Sequence, residues 1–198
     1  MTIRDWGAFA LLLIDVQEDF WPPALAAAFP DFPANVEKLL TTCREEGLEV
    51  IHLRALFRPD QADWMARYKL RDWIPCISGT AGAELLPCAA ALPGEKVLHK
   101  QTFDGFLNPE LDAYLQSQGK QFVMVAGLVT STCVLLTGIA AAQRGYLTAL
   151  VADCSADEPE AHARTVESYL FALEMVESSE IVANYEKWQE QLTQLAVL

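Results

Sequence analysis

Short apolar runs alternate with amphipathic stretches along this chain, and no other feature restricts its fold as much. Such alternation is the signature of a mostly parallel sheet with helices packed on it. Ala8 to Val16 reads as a first strand and Leu48 to Leu53 as a second. Lys96 to His99 gives a third that ends at Lys100, and Gln121 to Ala126 a fourth. Leu147 to Ala152 gives a fifth, and Glu180 to Val182 a short sixth. Between them, Asn35 to Glu46 carries Val36, Leu39, Leu40 and Cys43 at helical spacing, with Gly47 placed to close the helix. Pro109 to Gln118 follows the N-cap residue Asn108. Cys133 to Arg144 ends at Gly145, and Pro159 to Val176 aligns Val166, Tyr169, Leu170, Leu173 and Val176 on one face. A C-terminal helix closes the pattern. Only residues 58–82 fit neither period; with Trp64, Tyr68 and Trp73 they read as an insertion of the kind that forms lids or binding loops.

At 198 residues the chain suits one domain, residues 1–198, able to bury roughly 70% of its unfolded surface without staples. The formal net charge of -13 excludes nucleic acid and anionic membrane surfaces as natural partners and leaves a small molecule as the expected one. Residues 122–142 lack any charge and are long enough to span a membrane. Gly127 and the hydroxyls Thr130, Ser131 and Thr132 break the run, so a buried strand, a turn and a small-residue helix are expected instead. The five cysteines are odd in number and form no C-x-x-C pair. With Arg4, Asp5 and Trp6 where a signal peptide would begin, they point to free thiols in a reducing cytoplasm.

In an open parallel sheet, ligands bind beyond the carboxyl ends of the strands. Three strands deliver a reactive side chain there: the first Asp15, the third Lys100, and the turn after the fourth Cys133. Read singly, each has a plainer explanation: a capping carboxylate, a surface lysine and a buried apolar cysteine. Together at one rim they make a site, provided that the three strands are neighbours. Cys133 would occupy the first turn of a helix, where free amides, the helix dipole and the Lys100 ammonium favour a thiolate. His99 and His52 are expected in the sheet packing and His162 on the long helix; none has metal-ligand spacing to another.

The stretches Leu12-Leu13-Ile14-Asp15-Val16-Gln17-Glu18-Asp19-Phe20, Lys100 with Phe103 and Phe106, and Gly127-Leu128-Val129-Thr130-Ser131-Thr132-Cys133-Val134 occur in that order. In this the chain resembles the isochorismatase-like cysteine hydrolases over nearly its whole length. The resemblance implies a three-layer α/β/α, Rossmann-like fold around a six-stranded, mostly parallel sheet. It implies that Asp15, Lys100 and Cys133 form a catalytic triad that cleaves an amide, carbamoyl or ureide C–N bond through a thioester. It also implies a cis peptide at Leu128–Val129, an oxyanion hole from the backbone of Val129 and Cys133, no cofactor, and a homo-oligomer. Relatives that are nicotinamidases carry Asp-x-His metal ligands after the second strand, where this chain has Leu53-Arg54-Ala55-Leu56-Phe57, so no metal is expected. Phe20, Phe103, Phe106 and Trp64 are the expected pocket walls. Arg54, Arg58, Arg67, Lys69 and Arg71 form either a solvated face or a clamp for a substrate carboxylate. A vinyl ether hydrolase, a thiol-redox protein and a non-catalytic binder remain the competing classes.

Overall fold

A computed structural model of the chain describes residues 4–71 and 73–197. Met1 to Ile3, Asp72 and Leu198 lie outside the described residues, and with them the start of the opening segment and one position of the 58–82 insertion. The strands are β1 (Phe9–Ile14), β2 (Glu49–Ala55), β3 (Lys96–Lys100), β4 (Phe122–Leu128), β5 (Leu147–Ala156) and β6 (Glu174–Val176). They form one sheet in the order β3-β2-β1-β4-β5-β6, parallel throughout. The helices are α1 (Pro23–Ala28), α2 (Phe32–Glu46), α3 (Ala66–Arg71), α4 (Pro109–Ser117), α5 (Leu135–Gln143), α6 (Pro159–Ser168) and α7 (Tyr185–Leu195).

The two-residue period of the strands divides the core into two layers. In β1, Phe9, Leu11 and Leu13 face the layer that contains Val36, Leu39 and Leu40 of α2 and Trp188 of α7. Ala10, Leu12 and Ile14 face the other, with Leu111 and Leu115 of α4 and Ala140 and Ala141 of α5. Both faces of the central strands are covered, which is why β1 and β4 are apolar at every position and buried throughout. Gly47 closes α2 in the left-handed region (φ 74°), and the Asn108 side chain caps α4 by accepting from the Glu110 N–H. The uncharged stretch 122–142 resolves into β4, a turn and α5, and no helix among the described residues is long and apolar enough to cross a membrane.

Three expectations are corrected. The helix expected over 159–176 stops at Ser168, and the sixth strand is Glu174–Val176, paired to Ala149–Val151, not residues 180–182. Residues 178–180 form a short 3-10 turn. The helix expected from Cys133 begins at Leu135, after a π-helical turn over Thr130–Val134. β5 runs on to Ala156 because it bulges: Val125 faces Leu150, but Gly127 faces Ser155. The insertion builds a third, small core from Phe57, Trp64, Ile74 and Cys76.

Candidate active site

The reversal of strand order falls between β1 and β4, the place where open sheets form a crevice. Asp15 leaves β1 with φ 51°, a left-handed conformation that costs a non-glycine residue about 1–3 kcal/mol and clusters at functional sites. Its N–H donates to Leu53 O at 2.8 Å, and its Oδ1 accepts from Ala55 N at 2.8 Å, so the end of β2 fixes both backbone and side chain. Gln17 adds a second tie: its carboxamide accepts from Ala55 N and donates to the carbonyls of Ala55 and Ala83, fastening the insertion to the strand ends.

β2 lies between β3 and β1, so Lys100 and Asp15 do not sit on neighbouring strands. The length of the lysine side chain closes the gap. Its Nζ donates to Asp15 Oδ2 at 2.6 Å, to Thr102 O at 3.0 Å and to Cys133 Sγ at 3.4 Å. Asp15 is 0% exposed, Lys100 2% and Cys133 5%. Burial pulls the Lys100 ammonium down, but Asp15 and Cys133 outweigh it and hold the lysine above its usual range. Burial is the largest influence on the Cys133 thiol and pushes it up; Asp15 adds to this, Lys100 opposes it, and the thiol stays above its usual range. Burial and the Lys100 ammonium thus act on the Cys133 sulfur in opposite directions.

The turn carrying Cys133 is held from outside. Asp157, at the end of β5, accepts from Ser131 N at 2.8 Å and from Ser131 Oγ at 2.5 Å. Thr130 Oγ1 lies 2.9 Å from Nδ1 of His162 on α6. The hydroxyls read as helix caps thus serve as tethers. The Leu128–Val129 peptide preceding this turn is cis. Beside Val129 opens a cavity of about 380 Å³, walled by Phe20, Pro22, Leu25 and Pro159 and bordered by Asp19, Asp157 and Glu158.

The expected pocket residues separate. Phe20 lines that cavity. Phe103 is 38% exposed and meets Tyr68 edge-on at 6.2 Å. Phe106 instead packs into the core, under the Arg144 guanidinium and 6.0 Å from Tyr146. Trp64 is buried in the core of the insertion, its Nε1 donating to Arg58 O. His52 is buried as expected, but His99 is exposed at the sheet edge. Among the described residues, no group of three or more His, Cys, Asp or Glu is arranged to hold a metal ion. Sequence reasoning gave no role to Gln17, Asp19, Asp157 or Glu158; all four act through loops, where no periodicity marks them.

Residues 9–191 match the model of the isochorismatase domain. The chain belongs to the isochorismatase family. Among its relatives is the maleamate amidohydrolase of Pseudomonas putida, 29% identical over 172 residues that span 83% of this chain and 78% of that protein. A probable inactive nicotinamidase of Arabidopsis thaliana is 26% identical over 197 residues, 94% of this chain and 97% of the relative. Among solved structures, an isochorismatase family protein of Desulfovibrio vulgaris superposes with a TM-score of 0.80 at 27% identity, covering 89% of this chain and 97% of that one. The six-stranded parallel sheet flanked by helices is thus the isochorismatase-family fold.

Proposed function

We propose that this isochorismatase-family protein is a cysteine hydrolase that cleaves the C–N bond of a small amide or carbamoyl compound through a thioester. One observation carries the reading: a single buried ammonium, Lys100, donates to both a carboxylate and a thiol. The kinship to a maleamate amidohydrolase supports the bond type. Asp15 takes the proton from Cys133 as sulfur attacks the carbonyl carbon, and Lys100 stabilises the thiolate as it forms. Backbone N–H groups of Val129 and Cys133 receive the oxyanion. The C–N bond then breaks, and Asp15 passes its proton to the departing ammonia or amine. A water that gives a proton to Asp15 attacks the thioester, releasing the acid and restoring the thiol.

Ammonia release over a panel of amides, carbamoyl compounds and ureides tests this directly. Cys133→Ala should lower turnover by about 10³-fold or more, and intact mass should find an acyl group on Cys133 of the parent enzyme. Release at an undiminished rate by the variant would remove the cysteine from the mechanism. A second reading, a binding protein without turnover, draws on the relative described as a probable inactive nicotinamidase. It predicts no ammonia from any member of the panel and an unmodified Cys133.

A further inference from the structure

The cavity beside Val129 carries charge of one sign only. Its walls are largely apolar, and the ionisable side chains that line it are Asp19, Asp157 and Glu158, with no lysine, arginine or histidine among the described residues that border it. The three carboxylates differ in what they have left to offer. Asp157 commits both oxygens to the protein, Oδ2 to Ser131 and Oδ1 to Glu158 N. Asp19 uses one oxygen, accepting from Cys76 N at 2.7 Å, and Glu158 uses one, accepting from Ala161 N at 3.0 Å. Among the described residues the second oxygen of each has no protein partner, and both side chains are exposed. Asp19 is also fitted closely into place: a side-chain carbon at Gly82 would come within 2.1 Å of its carboxylate. Two of the basic residues between 54 and 71 are engaged elsewhere, Arg58 pairing with Asp60 and Arg54 donating to Ala83 O.

The cavity adjoins the turn that carries Cys133, although Asp15, Lys100 and Cys133 are not among its lining residues. Val129 forms part of its wall, and the Val129 carbonyl accepts from Thr132 and Val134 within the turn that carries Cys133. A volume of about 380 Å³ suits a small molecule. Carboxylates on low-dielectric walls concentrate cations and repel anions. We propose that this cavity selects, for the hydrolysis proposed above, small amides that carry an ammonium or guanidinium group. Asp19 and Glu158 receive the cation, and the apolar walls hold the carbon chain between it and the carbonyl.

Pentanamide, 4-aminobutanamide and 4-carbamoylbutanoate have similar length and differ in the charge of the far end. Calorimetry on Cys133→Ala protein reads their binding, and ammonia release by the parent reads their hydrolysis. 4-Aminobutanamide should bind at least about ten-fold more tightly than pentanamide, with 4-carbamoylbutanoate weakest. Added salt should narrow that gap in the parent cavity, and Asp19→Asn with Glu158→Gln should reduce it to about three-fold or less. Equal binding of all three, no binding of the ammonio amide, or a preference untouched by the double variant overturns the inference. Charge-selective binding without ammonia release would count against the hydrolase reading alone. Preferred hydrolysis of the neutral or anionic amide would count against the charge inference alone.

Discussion

Lys100 brings its ammonium to a place where a charge without partners would cost several kcal/mol. Asp15 makes that tolerable, and the dependence is mutual. Lys100→Met would leave the Asp15 carboxylate buried and unpaired, and should lower stability by about 3–5 kcal/mol in a urea titration at neutral pH. The double variant Asp15→Asn with Lys100→Met should recover much of that loss. A single variant as stable as the parent would show that the pair is not holding the strand ends together. Because the folded state holds the lysine proton more tightly than the unfolded chain does, this stabilisation is complete below the ordinary lysine value of 10.5. It is lost as pH rises through the higher folded value. Asp15, Lys100 and Cys133 were legible as a candidate site only jointly: Asp15 follows one strand, Lys100 ends another and Cys133 lies in the turn after a third, so their common placement marked them. Phe106 was misplaced for the opposite cause: an aromatic near a reactive residue packs into a core as readily as into a pocket wall.

At the scale of elements, Glu95 is the joint between α2, β2 and the turn before β3. It accepts from Arg44 at 2.8 Å and from Leu92 N at 2.8 Å, and lies 3.0 Å from His52 Nε2. Burial alone would raise this carboxyl; Arg44, the Leu92 amide and His52 together bring it from 4.5 down to about 2. A lowered value means that its contribution is present above pH 4.5 and disappears as pH falls towards 2. Glu95→Gln should therefore be less stable than the parent at pH 7 and show a shallower loss across that acid window; parallel acid limbs would refute the assignment. The elements that sequence placed wrongly show why periodicity has limits. Leu173 and Val176 point inward whether the chain is helix or edge strand, so the apolar spacing from Val166 onward continued past the real helix end at Ser168. Leu170 and Phe171, 64% and 83% exposed, lie on no buried helix face. A strand of three residues is too short to display alternation. The π-helical turn at Thr130–Val134 was equally hidden, because its geometry depends on Asp157 and His162 from distant segments.

Taken whole, the molecule carries 27 acidic against 14 basic residues, and this excess repels itself in the compact state. Raising salt from about 0.02 to about 0.5 M should therefore raise the melting temperature, since screening relieves the repulsion more than it weakens the few exposed ion pairs. A melting temperature that falls with salt would show that the surface pairs dominate. The sheet meanwhile ties the site to one point of main-chain contact. Gly127 has φ 125°, and a side-chain carbon there would lie 2.0 Å from Ile14 O. Ile14 is the residue before Asp15, and Gly127 precedes the segment that leads to Cys133, so Asp15 and Cys133 take their positions from the same contact. For laboratory evolution this separates two kinds of freedom. A library spread over Phe20, Leu25 and Glu158 changes side chains that line the cavity, whereas randomising position 127 should return glycine in the folded survivors, since the spacing of Asp15 and Cys133 is written in backbone and offers selection no side chain to tune.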